Sequence, residues 1–382
     1  MDAGQWNNIL FEAFAYYNPL IMVAVMLWLW GVNIFVFLRS RVNYAKVFDL
    51  DHNHLTHREI WKIAAWVTVI VVTSLSAYLY LESHGATQLA ASQPVLIYCL
   101  LPLLLAMPLD VFYSSSRFYF LNTAVRIIFP FQPITYADFF VADVLTSMSK
   151  VLSDVERAVC KMYYHQVTGV PDDDGDSMCG NHSYLIPCIL AFPYVCRFFQ
   201  CLRQYFDTRD KSCLFNALKY STTFPVIILS AMKYHLTDEL LWETRYRPLW
   251  LVWSVINMCY SFYWDVTRDW DLGLLSGSCN PKKPVLRTSL LYSRRWVYWW
   301  AICSNLILRC SWTYKLSAHL RHNRLTVFTF SALEMLRRFQ WIFFRVECEY
   351  NKLITKAAPS QIPMKEIDVE SERLLSVSNH DI

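Results

Sequence analysis

Stretches 17–38, 60–81, 94–109, 247–264 and 297–316 are each dominated by apolar residues over a length close to that of a bilayer-spanning helix. About 20 such residues cross roughly 30 Å of hydrocarbon, where backbone groups find no water and must bond within their own segment, so these stretches are helices. Five more, 117–131, 136–160, 183–205, 211–234 and 326–347, are more polar but too apolar for loops. The chain is 55% hydrophobic and 17% charged, against about 25% charged in soluble domains, which makes the bilayer its solvent. The expected fold is an all-α, polytopic membrane helix bundle of about ten transmembrane helices.

Residues 1–18 lack a basic start and carry Asp2 and Glu12, so the first span is expected to be retained rather than cleaved as a signal peptide. The expected layout is a short cytoplasmic N-terminus over 1–16, a transmembrane domain over 17–350, and a mobile cytoplasmic tail over 351–382. That tail contains Glu370 followed by Leu374 and Leu375, the form of an acidic dileucine sorting signal. The polar stretch 272–287, with Lys282 and Lys283, reads as a loop between spans.

Lysine and arginine are nearly balanced between alternate loops, so charge bias does not set the orientation. Segment 163–182 holds Asp172, Asp173, Asp174 and Asp176 and runs into the sequon Asn181-His182-Ser183. Use of that sequon would make the segment lumenal and, with ten spans, both termini cytoplasmic. Cys160 and Cys179 flank it, either as a lumenal disulfide or as two free thiols. Most other cysteines lie in apolar stretches as small hydrophobes. A net charge of +4, with basic residues scattered between apolar runs, excludes nucleic acid as a partner; membrane lipids are the surroundings.

Ionisable residues inside spans are costly unless paired or set along a polar pathway. This chain has many: Asp138, Asp143, Lys219, Asp265, Asp269, Arg309, Glu334, Arg337, Arg338, Arg345 and Glu347. Each alone could be an ion pair that locks helices together. Basic groups from at least three spans, joined by aspartates from two others, exceed what docking needs and suit a tetrahedral oxyanion held by guanidinium forks. Arg337 and Arg338 lie about 100° apart around a helix, so Glu334 can neutralise one while the other faces a pathway. Asp143 or Asp265 near the anion would accept from a phosphate O–H, which sulfate lacks.

These residues sit in blocks that resemble the EXS domain family: Lys219-Tyr-Ser-Thr-Thr-Phe, Trp264-Asp-x-x-x-Asp-Trp270, Leu308-Arg-x-x-Trp312, and Glu334-x-x-Arg-Arg-Phe-x-Trp-x-Phe-Phe-Arg-x-Glu347. Pro108-x-x-x-Phe112-Tyr, Ala137-Asp-Phe-x-x-Ala-Asp143 and Arg197-Phe-x-Gln-Cys-Leu-Arg203 agree with it. The resemblance covers about residues 18–352. It implies a phosphate export domain whose pathway is formed by Asp143, Lys219, Tyr220, Asp265, Arg309, Arg337 and Arg338, with Trp312 as a gate. Whether Arg209 or Lys211 supplies a further basic residue stays open. It also implies an SPX-less, Golgi-type member returning inorganic phosphate from the Golgi lumen to the cytosol, with the plasma membrane or another endomembrane as the alternative address. No cofactor and no metal are implied.

Two rival readings remain. His52, His54 and His57, with His319 and His322, resemble fragments of a metal-binding oxidase, but five histidines without a third box are too few for a di-iron enzyme. An adaptor that retains or retrieves glycosyltransferases by their tails is the alternative function. Such an adaptor needs no membrane-embedded arginines. Whether the chain forms a homodimer is not legible.

Overall fold

The computed structural model describes residues 3–50, 55–108, 113–164, 179–180, 182–236, 238–272, 290–292, 294–316 and 324–357. Within them every regular element is helical. In chain order these are α1 (Ala3–Arg39), α2 (Tyr44–Phe48), α3 (His57–Ser83), α4 (Thr87–Ala106), α5 (Ser114–Ile128), α6 (Tyr136–Ser147) and α7 (Ser149–Tyr163). There follow α8 (Leu185–Thr208), α9 (Lys211–Ser221), α10 (Thr223–His235), α11 (Arg247–Trp264), α12 (Arg295–Arg309) and α13 (Arg324–Ala357). The turns Glu239–Leu241 and Trp242–Tyr246 lead into α11. His52, His54, His319, His322, Asn181, Lys282, Lys283 and the dileucine segment lie outside the described residues.

Side-chain pairings fix the direction of each helix. Trp28 donates to Thr68 at 3.0 Å and Tyr17 shares a 2.8 Å hydrogen bond with Ser74, so α1 and α3 are antiparallel. Their approach is close: a Cβ on Gly31 would come within 2.3 Å of the Trp61 ring, so only glycine fits there. Between α1 and α13, Phe14 meets Phe328 at 5.0 Å and Phe37 meets Phe343 at 5.8 Å, so these two run the same way. An even number of crossings would set the first and last spans antiparallel.

The segment that does not cross is α5. At 15 residues it is about 22 Å long, too short for the hydrocarbon. Arg117, near its start, donates to the carbonyl of Met107 at 3.1 Å, and Arg126 pairs with Asp138 at 2.8 Å. It therefore bridges the end of α4 and the start of α6 on one face of the bundle. Among the described residues the crossings are α1, α3, α4, α6–α7, α8, α9–α10, α11, α12 and α13. The all-α bundle agrees with the sequence, but stretch 117–131 is not a span, and the amino end of α1 lies opposite the carboxyl end of α13. The boundary at residue 16 is not a structural break, since α1 starts at Ala3, and helix α13 continues through Ala357.

Cys160 and Cys179 are disulfide-bonded, with Cα atoms 5.6 Å apart. The end of the bundle that holds this bridge, called upper here, also holds the amino ends of α1 and α13. Helices α3 and α4 turn apolar side chains such as Trp66, Val69, Leu96 and Leu103 outward. Four helical segments, Ile9–Arg39, His57–Ser83, Thr87–Ala106 and Leu185–Thr208, are plain membrane spans by length and apolarity. The remaining crossings are shorter, more polar or interrupted.

Those interruptions cluster at one depth. Helix α6 gives way to α7 at Met148, where the Thr146 carbonyl accepts from the Tyr194 hydroxyl at 3.2 Å. Helix α9 gives way to α10 at Thr222, because Pro225 has no N–H to donate to the Ser221 carbonyl. The hydroxyls of Thr222 and Thr223 instead meet Asn257 Oδ1 at 2.9 and 3.2 Å. Helix α11 widens into a π-turn over Asp265–Asp269, and α12 tightens into a 3-10 turn over Cys310–Leu316. Broken backbone is tolerated at membrane depth only where protein or a polar cavity satisfies it.

Candidate functional site

A cavity of about 1180 Å³ opens among these interruptions. Lys161, Lys233, Glu243 and Arg247 line it near the upper end, and Lys219, Asp265, Arg309, Arg337 and Arg338 form its floor. Thr146, Ser147, Tyr220, Trp312 and Glu334 complete the deep wall. Six of the seven pathway residues expected from the resemblance, and Trp312, therefore share one cavity; Asp143 does not line it.

The floor has two kinds of cation. Arg309 donates to Asp265 Oδ2 from Nε at 2.9 Å and from a terminal nitrogen at 2.5 Å. Asn305 donates to the same oxygen at 3.0 Å, and Arg337 approaches it at 3.5 Å. Arg337 also forks onto Glu334, three residues before it, at 2.8 and 2.5 Å. These two arginines are neutralised by their carboxylates.

Lys219 and Arg338 are not. Arg338 donates from Nε to the Ser147 hydroxyl at 2.8 Å and from a terminal nitrogen to Thr146 at 3.1 Å, and its guanidinium lies 4.5 Å from the Trp341 ring centroid. Among the described residues it has no carboxylate partner. Lys219 Nζ sits 4.3 Å from the Tyr220 ring centroid and 5.5 Å from that of Trp264, again without an ion pair. Both are at least nine-tenths buried. A buried cation whose direct partners are only hydroxyls and aromatic faces lacks a contacting counter-charge. An anion in the cavity supplies it.

Asp143 lies behind the wall. It accepts from Arg197 Nε at 2.9 Å and from the Tyr220 hydroxyl. Arg197 is fully buried, also donates to Gln200 at 2.7 Å, and stacks 4.0 Å from the centroid of Phe139. The expected role of Asp143 as the reader of a phosphate O–H therefore does not fit: its oxygens serve Arg197 and Tyr220, and it fixes Tyr220 in the wall. Asp265 is the carboxylate that reaches the cavity.

Other sequence expectations separate in the same way. Asp138 caps α6, accepting from the Thr135 N–H at 3.0 Å, and pairs with Arg126. Glu347 accepts from the Tyr298 hydroxyl at 2.6 Å. Neither lines the cavity. Arg209 and Lys211 are both exposed at the α8–α9 corner, away from the cavity, so neither joins it. His57 packs against Phe35 and Trp61. Trp312 stands on the cavity wall, its indole N–H directed at Met258 Sδ at 3.5 Å and its ring edge-on to Trp250 at 5.7 Å.

The model of the EXS family matches residues 13–351. SPX and EXS domain-containing protein 3 of Dictyostelium discoideum is 31% identical over 335 residues, covering 85% of this chain and 35% of that protein. The xenotropic and polytropic retrovirus receptor 1 homolog of Danio rerio is 31% identical over 350 residues, 87% of this chain and 49% of its own length. Solute carrier family 53 member 1 of Mus musculus is 31% identical over 351 residues, with 87% and 50% covered. The chain spans half or less of the length of these relatives.

Proposed function

This chain belongs to the EXS family, and from that premise we propose that it carries inorganic phosphate across a membrane through the cavity between α6–α7, α9–α10, α11, α12 and α13. The observation that carries the proposal is the pair Lys219 and Arg338, buried cations that line the cavity without carboxylate partners. A solute-carrier relative supports transport rather than catalysis. Phosphate fits the chemistry. The guanidinium of Arg338 offers a fork, Lys219 a point charge, Ser147 and Thr146 hydroxyls, and Asp265 an acceptor for the remaining P–O–H. Arg309 and Arg337 hold Asp265 in place and keep the floor from binding so tightly that release fails.

The proposed address is the Golgi membrane and the proposed direction is lumen to cytosol. The disulfide that closes the acidic segment sits at the upper end, which is the oxidising side in this reading. The cavity reaches that end, so phosphate enters from the lumen. The amino end of α1 is then lumenal and the carboxyl end of α13 cytoplasmic, which replaces the cytoplasmic N-terminus expected from an even count of spans.

Purified protein in liposomes loaded with inorganic phosphate is expected to release it faster than protein-free vesicles. Release at the protein-free rate would overturn transport and leave the glycosyltransferase adaptor as the reading. Trp312 supplies a second test, as the proposed gate on the cavity wall. Removing its ring in Trp312→Ala opens the wall beside Arg309, so phosphate flux per folded molecule rises. A purely packing tryptophan predicts the opposite: a loss of about 3–5 kcal/mol and less folded protein, with flux per molecule unchanged or lower.

A further inference from the structure

Below the cavity floor a second layer of buried polar groups lies toward the lower end, outside the cavity lining. Arg345 follows Arg338 by seven residues, two turns along α13, and so shares its face. Its hold on Asp269 is loose. The nearest guanidinium nitrogen is 3.8 Å from the carboxylate and donates to the Asp269 backbone carbonyl at 3.4 Å, whereas Arg309 meets Asp265 at 2.5 Å. One Asp269 oxygen accepts instead from the Trp341 indole at 3.2 Å. The Arg345 guanidinium faces the rings of Phe139 and Tyr136, at 5.0 and 5.8 Å to their centroids.

Among the described residues, two donors here have no acceptor: Arg345 Nε and the Tyr136 hydroxyl are both buried and unpartnered. Buried donors are normally satisfied, and leaving one without a partner costs about 1–3 kcal/mol. What these two donors lack is an acceptor within hydrogen-bond reach, and an oxyanion supplies several at once.

We propose that Arg345 and Tyr136 form a second phosphate station between the cavity floor and the lower end of the bundle, with Asp269 as the counter-ion that the anion displaces. This rests on the transport reading above. Phosphate leaving Lys219 and Arg338 passes to Arg345, whose loose pairing lets it exchange Asp269 for the anion and close again behind it. Two weakly committed stations in series meet the requirement that each bind well enough to accept the ion and poorly enough to pass it on.

Tyr136→Phe separates this role from a structural one. The hydroxyl makes no bond among the described residues, so its removal keeps the ring and leaves thermal stability unchanged or raised. In proteoliposomes the station predicts a fall in phosphate flux of about 3- to 10-fold for the loss of one hydrogen bond to the passing ion. Equilibrium binding of inorganic phosphate at the cavity floor, measured by titration of purified protein, stays within about twofold of wild type. Wild-type flux in Tyr136→Phe would overturn the station and leave the transport reading intact. Absence of flux in the wild-type protein would overturn both.

Discussion

Replacing Arg197 by alanine is expected to deplete folded protein more than any other single change at the site. Arg197 is 0% exposed and compensates Asp143, which is 2% exposed. Its loss leaves that carboxylate with the Tyr220 hydroxyl as its side-chain donor and no ion pair among the described residues, Lys219 and Arg338 acting on it only from farther away. Breaking a buried pair by removing one partner costs about 3–5 kcal/mol because the survivor stays charged and dry. The same change removes the donor to Gln200 and the cation stacked on Phe139. Thermal unfolding in detergent should show a large drop in midpoint, and Arg197→Ala with Asp143→Asn should recover part of it, since the double change leaves no bare charge. A wild-type midpoint in Arg197→Ala would mean that the pair does not hold α6 to α8.

Arg338→Ala is expected to behave in the opposite way, with the fold kept and transport lost. No carboxylate is stranded, because Arg338 forms no ion pair among the described residues, and the groups it leaves have other bonds. The Ser147 hydroxyl donates to Glu334 at 2.8 Å and that of Thr146 to the Asp143 carbonyl at 2.7 Å. The stability cost is therefore about 1 kcal/mol, the worth of ordinary hydrogen bonds and a cation over an aromatic ring. A charged hydrogen bond to phosphate is worth about 1.5–3 kcal/mol, so binding and flux should fall by roughly 10- to 100-fold. A folded Arg338→Ala protein with wild-type flux would remove Arg338 from the pathway. The contrast between two arginines in one membrane domain follows from whether each has a carboxylate.

Much of this fold was legible because apolar length is a local property. Stretches 17–38, 60–81 and 183–205 read as helices from their own residues and are helices. Stretch 117–131 misled, since its helix of 15 residues is too short to cross and carries much of its apolar content, including Phe118, Val125, Ile128 and Phe129, exposed along one face of the bundle, and a one-segment error reverses the side assigned to a terminus. The site was legible as a set of charges and not as pairs. Arg337 and Glu334 could be paired from helical spacing, but Ser147 reaches Glu334 across 187 positions and Tyr220 reaches Asp143 across 77. No periodicity encodes such contacts. Arg197 carried a usable signal, as an arginine in the middle of one of the most apolar helices, yet only its fully buried contact with Asp143 reveals that it holds the wall in place.

The interruptions at Met148 and Thr222 fall in stretches 136–160 and 211–234, which read less clearly as spans than 17–38 or 60–81, whereas those at Asp265 and Cys310 adjoin or lie in stretches that read plainly as spans. Each break exposes backbone groups that polar side chains then satisfy, so the polar residues that weaken the hydropathy signal are the ones that make the cavity. Plain apolar helices surround it and face lipid.

The most direct test of the account is equilibrium binding of inorganic phosphate to the purified protein, titrated for wild type and for Lys219→Ala with Arg338→Ala. Two uncommitted buried cations facing a cavity predict saturable binding in wild type that falls by about 100-fold or more in the double variant, with the fold kept. Equal phosphate affinity in a folded double variant would contradict the assignment of these two residues as the anion site.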